Sequence, residues 1–372
     1  AFLLENPPEA RTGLEWEQFA SALPPDLSGR RSVFTFDPTS YEVHQEGARF
    51  DPFLGRLEAR TVVFDLPYAR LERAPGLRGV VGWGAHDPGV AASSRPAGLA
   101  RRIGPYPSPE SIYALPWPSA ERCRAMGRDL EAGLATRGDA AVALMTELEP
   151  DWEVFVAVAG ELHSAFEALW HGVDADHPLH GHPSAPAART ALDDAHRAVD
   201  GFVGRLLEAT GDDTTVLVFN MGGMGPNVSD LPSMVLLPEL LHRWAYGTPL
   251  LELPDDWATA PDGLPQLGPD DSWSATVNGL LPGGDGGPDL RRLAGRLPPG
   301  LRRSLRTLAS ALPRSGRVEQ WASWQPAARY APRWAGMDAF ALPSYYQGRV
   351  RVNLEGREAH GRVAPERLDE VL

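Results

Sequence analysis

The residues of this sequence most able to do chemistry together are His163 and Glu167, in the stretch GELHSAFEALWHG. A spacing of four residues places both side chains on one face of a helix. The carboxylate can orient the imidazole for acid–base work, or the two groups can hold one metal ion. An exposed helix pair with no catalytic role is the alternative.

A second stretch, TVLVFNMGGMGP, ends an apolar run at Asn220 and continues into glycines. Asn220 can hydrogen-bond a ligand or cap a turn. Neither Asn220 nor Met221 is a good acid, base or zinc ligand. The glycines do not follow the register of a dinucleotide-binding fingerprint. This stretch therefore offers contacts to a ligand rather than a reacting group.

A third stretch, HGVDADHPLHGHPS, is rich in histidine, with imidazoles at His171, His177, His180 and His182. Tracts of this kind can bind metal. The proline and glycine residues between the histidines favour a surface loop without a metal.

The elements that must position these residues follow from the hydrophobic pattern. Short apolar runs alternate with longer helical patterns, which predicts an α/β fold with a mostly parallel sheet flanked by helices. The predicted strands are 60–66, 78–83, 152–159 and 214–220, and the predicted helices are 119–137, 163–171 and 189–209. Ligands of open parallel sheets bind outside the carboxyl ends of the strands, where two of these stretches lie.

Residues 226–334 differ from the rest, because they combine Pro- and Gly-rich stretches with a basic helical run at 290–310. We interpret them as an inserted cap region with a flexible loop at 281–289. Alternating valine and arginine in 348–358 predict an edge hairpin.

Composition limits the possible functions. The 372 residues carry a net charge of −14, which argues against nucleic-acid and anionic-membrane partners. All 35 basic residues are arginine, so a P-loop lysine, a Schiff-base lysine and a Ser-Lys dyad are excluded. Cys123 is the single cysteine, and the first residues show no signal-peptide pattern, so a cytoplasmic location is expected. No apolar run approaches the ~18 residues of a membrane span.

Several stretches in the same order resemble the type I phosphodiesterase and nucleotide pyrophosphatase family of the alkaline phosphatase superfamily. They are TGLEWEQFASALPPDLSG, GVVGWGAHDPG, DWEVFVAVAGELHSAFEALWHGVDADHP, VLVFNMGGMGPN and AFALPSYYQGRVRVNLEGREAHGRV. The resemblance implies an alkaline phosphatase-like α/β core at 1–225, completed by 335–372, with the cap at 226–334.

Members of this family normally bind two metal ions, usually zinc, which activate a threonine or serine nucleophile and clamp the attacking and leaving oxygens. The matching position implies that Thr12 is the nucleophile. The metal ligands depart from the family, because His163 and Glu167 replace Asp-x-x-x-His, and Asn220 and Met221 replace Asp-His. We therefore expect no two-metal site, but either no metal or one divalent ion, with zinc favoured, at His163 and Glu167.

Three hypotheses follow. The first is a divergent enzyme that hydrolyses or transfers a phosphoryl, sulfuryl or acyl group, with Thr12 as nucleophile, His163 as base and Glu167 as its orienting carboxylate. The second is a phosphodiesterase or nucleotide pyrophosphatase with one residual metal. The third is a non-catalytic pseudoenzyme that serves as a binding or scaffold protein. The residues expected to bind a small anionic substrate are Asn220, Arg30 and Arg31.

Overall fold

The computed structural model describes residues 13–113, 119–223, 231–259, 273–281, 320–322, 325–345 and 347–372. The chain divides into two compact units. The parallel-sheet unit comprises 14–30 and 47–226, and the second unit comprises 1–13, 31–46 and 227–372. The division at 226 lies next to the predicted start of the cap, whereas 335–372 cluster with the cap residues rather than with the core.

The parallel-sheet unit is an α/β structure built on a mixed sheet of four strands. The strands are β3 (Thr61–Phe64), β4 (Leu77–Val81), β5 (Ser93–Arg95) and β6 (Val154–Ala157). Their order is β5-β4-β3-β6, with β3 parallel to both β4 and β6, and β5 antiparallel to β4. Three of the four predicted strands are therefore confirmed: β3 and β6 are shorter at both ends than predicted, and β4 begins one residue earlier and ends two residues earlier.

The helices of this unit are α1 (Glu15–Ser21), α2 (Pro25–Ser28), α3 (Leu99–Ile103), α4 (Ala120–Ala143), α5 (Glu161–Leu169) and α6 (Ala185–Ala209). The three longest, α4, α5 and α6, confirm the predicted helices. Small residues where α4 and α6 meet allow the two backbones to approach closely. A Cβ added to Gly127 of α4 would lie only 2.8 Å from the Cβ of Ala191 of α6.

Both faces of the sheet are covered, which explains why its strands are apolar along their whole length. Phe64 and Val80 pack with Leu134 of α4 and Phe202 of α6 in one cluster. The alternate residues face the opposite way, and Val63 packs there with surrounding loop residues and with α1.

The predicted strand at 214–220 is wrong. These residues form no strand in the structure, and the side chains from Val216 to Phe219 are 44–81% exposed. The ring centroid of Phe219 lies 5.4 Å from that of Phe19. An apolar, β-branched run forms a strand only where a neighbouring strand pairs with its backbone N–H and C=O groups. No described strand pairs with this segment.

The described part of the second unit contains two small antiparallel sheets. Its strands are β1 (Phe34–Phe36), β2 (Val43–Gln45), β7 (Gln320–Trp321), β8 (Ala339–Leu342) and β9 (Arg349–Val352). β2 lies between β1 and β7, while β8 pairs with β9. The predicted edge hairpin is thus confirmed at β9, which pairs with the strand preceding it. Its helices are α7 (Leu237–Tyr246), α8 (Trp273–Leu280), α9 (Ala331–Trp334) and α10 (Leu368–Val371).

The predicted loop at 281–289, apart from its first residue, and the predicted basic helix at 290–310 lie outside the described residues. Across the part of the chain that is described, no helix combines the length and the apolar character that crossing a membrane requires.

Candidate functional site

Three potential metal ligands lie together at the carboxyl ends of two parallel strands. His86 follows β4, and His163 and Glu167 lie on α5, which begins soon after β6. Their ligand atoms all lie within 4.8 Å of one another. Nε2 of His163 is 3.2 Å from Oε1 of Glu167, and Nε2 of His86 is 3.3 Å from Oε2 of the same carboxylate. Glu167 therefore bridges two imidazoles, and the predicted pair becomes a cluster of three.

His86 forms the buried side of this cluster, since its side chain is 8% exposed whereas those of His163 and Glu167 are 52% and 46% exposed. Its ring centroid lies 4.4 Å from that of His163 and 4.4 Å from that of Tyr113. Its Nδ1 lies 3.5 Å from Oδ2 of Asp87. Its Nε2 is buried and makes no hydrogen bond to any described residue, because Glu167 approaches at ion-pair distance without hydrogen-bond geometry.

The electrostatics of the cluster favour charged groups. Burial would raise the pKa of Glu167, but the two histidines outweigh burial and lower that pKa to about 2. Burial would likewise lower the pKa of His86, but the Asp87 and Glu167 carboxylates outweigh it and raise that pKa to about 9. At neutral pH and without a metal, the cluster is therefore held by an ion pair between His86 and Glu167.

A fully buried ionic network lies beneath the cluster and ties its parts together. Arg137 of α4 places Nη1 2.9 Å from Oδ2 of Asp65 and Nε 2.8 Å from Oε1 of Glu161. All three side chains are completely buried. Burial alone would lower the pKa of Arg137, but Glu161 and Asp65 outweigh it and raise that pKa, so the guanidinium stays charged.

This network reaches both segments that carry the ligands. Asp65 accepts hydrogen bonds from the backbone N–H groups of Trp83 and Gly84, in the loop that leads to His86. Arg137 donates to the Gly84 carbonyl of the same loop. Glu161 is the first residue of α5, the helix that carries His163 and Glu167. One arginine therefore fixes the β4 loop and the start of α5 relative to each other.

The predicted substrate-binding residues lie in other surroundings. Asn220 is exposed, and its side-chain oxygen accepts a hydrogen bond from the N–H of Gly222, which is the turn-capping role. Arg30 is buried in an ion pair with Glu17 and donates to the Gly47 carbonyl, so its side chain has a structural role. Arg31 is exposed and belongs to the second unit. Thr12, the predicted nucleophile, lies outside the described residues.

The four histidines of the 171–182 tract support a turn. His171 is buried and contacts Oγ of Ser184 through Nε2 at 3.1 Å, and His182 contacts the same hydroxyl through Nδ1 at 2.8 Å. Nδ1 of His177 accepts the N–H of Leu179. Among the described residues these histidines form no cluster of potential metal ligands, so the tract folds as the turn before α6.

Sequence reasoning missed His86 and Arg137. For His86 a signal was present, because it follows the predicted strand 78–83. In a parallel sheet the carboxyl end of that strand lies at the same edge as the carboxyl end of the predicted strand before His163. No comparable signal marks Arg137, whose role depends on carboxylates distant in sequence. Comparison of the chain with protein-family models, with curated proteins and with solved structures found no match.

Proposed function

We propose that this protein is a metal-dependent hydrolase or transferase that acts on a small anionic ester, with one divalent ion held by His86, His163 and Glu167. The observation that carries the proposal is the convergence of two imidazoles and a carboxylate within 4.8 Å at the carboxyl ends of parallel strands. Of the three sequence-based hypotheses, His86 favours the one with a single residual metal, because it supplies a third ligand.

The residues present fit such an ion. Two histidines and one glutamate are a donor set that zinc uses in catalytic sites, where a fourth position stays open for water or substrate. The buried Nε2 of His86 has no hydrogen bond, and a ligand bond would satisfy it. Asp87 lies behind the same ring at Nδ1, where carboxylates commonly orient a ligating imidazole.

The three proposed ligands differ in burial and therefore in role. His86, buried and held by Asp87 and by the ring of Tyr113, supplies the rigid ligand. His163 and Glu167 face solvent and supply the side that a substrate reaches. A bound divalent ion would act as a Lewis acid and would lower the pKa of a bound water. Thr12, the nucleophile that the sequence resemblance implies, stays a prediction.

A metal-free reaction is the second candidate. The observation that favours it is the charged state of the cluster, since a raised His86 pKa and a lowered Glu167 pKa keep a proton on the buried imidazole at neutral pH. In that case Glu167 would orient His163, whose exposed ring would act as the general base.

Turnover with and without metal separates the two. Metal-free protein, and the same protein with added zinc or manganese, would be assayed on nitrophenyl esters of phosphate, phosphodiester, sulfate and acetate. We expect turnover of at least one ester that requires added metal and that is lost in Glu167→Gln. Metal-independent turnover that is lost in His163→Ala would support the second candidate. Absence of turnover on every ester would favour the pseudoenzyme hypothesis. His44→Ala is the control for removal of a histidine outside the cluster and should leave turnover unchanged.

A further inference from the structure

We infer that the parallel-sheet unit contains a second binding site, a groove for a small doubly charged oxyanion such as phosphate or a phosphate monoester. The groove is open to solvent and has a volume of about 260 Å³, and its lining includes Ser21, Arg49, Phe50, Asp51, Arg56 and Arg73. None of these residues belongs to the His86 cluster, so the inference does not depend on the proposed metal.

The charge of the groove opposes that of the whole protein. Three arginines and one aspartate give it a formal charge of +2, whereas the chain carries −14. Arginine stays charged at any physiological pH and matches the oxygens of phosphate with two parallel N–H donors. The three guanidinium groups come from different segments, because Arg49 is in a loop, Arg56 ends a short 3-10 turn and Arg73 ends another.

The wall that carries Arg49 is fixed from inside the unit. Glu17 of α1 is buried and forms an ion pair with Arg30, which also donates to the carbonyl of Gly47 at 2.9 Å. A second oxygen of Glu17 accepts the backbone N–H of Arg49. The buried Arg30, predicted from sequence to bind an anion, thus holds the loop from which another arginine lines the groove.

The size and lining of the groove define its ligand. A volume of about 260 Å³ is below the range of about 300–1,000 Å³ common for pockets that bury drug-sized ligands, so the groove has room for a small anion or for one phosphate group of a larger molecule. Oγ of Ser21 donates to the Glu17 carbonyl and accepts the N–H of Leu23, so recognition depends on the arginines. Asp51 lies 3.1 Å from Nη1 of Arg73, where its carboxylate competes with an incoming anion.

Calorimetric titration of metal-free protein with inorganic phosphate and with glycerol 3-phosphate, at constant ionic strength, tests the site. We expect saturable binding of at least one of them that weakens five-fold or more in Arg56→Gln and in Arg73→Gln. Binding should tighten in Asp51→Asn, which removes the competing carboxylate. Arg102→Gln, an exposed arginine on α3 that does not line the groove, is the matched control.

Which of the two compounds binds more tightly shows whether the site takes free or esterified phosphate. Absence of saturable binding of both, or equal affinity in the unaltered protein and the two arginine variants, would overturn the inference. Circular dichroism and urea unfolding of each variant confirm that a lost affinity is not a lost fold.

Discussion

Replacing Arg137 by methionine should destabilise the parallel-sheet unit severely. Methionine keeps much of the length of the side chain but removes the charge that two fully buried carboxylates share. Asp65 and Glu161 would then be buried without a cation, and the Gly84 carbonyl would lose a donor at 3.1 Å. Breaking a buried ion pair from one side costs about 3–5 kcal/mol, so we expect the free energy of unfolding to fall by that amount.

Urea unfolding followed by circular dichroism measures this loss. A double variant, Arg137→Met with Glu161→Gln, removes one unpaired charge and should recover on the order of 1–2 kcal/mol. Arg128→Met alters an exposed arginine of the same helix and should change stability by less than about 0.5 kcal/mol. A loss below about 1 kcal/mol in Arg137→Met, or a double variant less stable than the single, would refute the role assigned to the network.

Three further predictions concern other parts of the same unit. Burial and the neighbouring histidines lower the pKa of His171 from 6.5 to about 4. Between these two pH values the unfolded state binds a proton that the folded state does not, so the free energy of unfolding should fall by about 2 kcal/mol as the pH is lowered to about 5. A His171→Gln variant with the same pH profile would contradict this. Gly172→Ala should cost at least about 2 kcal/mol, because its Cβ would lie 2.3 Å from the Arg189 backbone nitrogen; an unchanged urea midpoint would contradict it. Leu217→Ser should change stability by less than about 0.5 kcal/mol, because this side chain is 81% exposed; a loss of about 2 kcal/mol would indicate the buried strand that the sequence predicted.

Each of these has a control in the chain. Gly201 lies in the interior of α6 with nothing within 4 Å of an added Cβ, so Gly201→Ala should raise stability by up to about 1 kcal/mol, the opposite sign to Gly172→Ala. For the pH experiment, His44 lies outside both histidine groups, and His44→Ala should leave the slope attributed to His171 in place.

The hydrophobic pattern predicted the long helices because their apolar residues recur with the helical period. It predicted the sheet because strands that are buried on both faces of a sheet are continuous apolar runs. The pattern was wrong at 214–220, whose composition matches that of a buried strand but with which no described strand pairs. Strand formation requires a partner for the backbone, and a partner is a tertiary feature that no local window contains.

The candidate site was predictable only in part. His163 and Glu167 could be paired because their spacing on a helix fixes their proximity. His86 is 77 residues earlier in sequence than His163 and joins them because β3 pairs with both β4 and β6, which brings the two strand ends to one edge. The roles of Arg137 and Arg30 depend on buried carboxylates that only the folded chain places beside them.

The proposed site holds one divalent ion on His86, His163 and Glu167. Calorimetric titration of zinc into metal-free protein measures this binding. We predict one zinc per chain, with binding lost or weakened at least about ten-fold in His86→Ala and Glu167→Gln, and unchanged in His44→Ala. Absence of zinc binding, or equal affinity in the unaltered protein and His86→Ala, would contradict it.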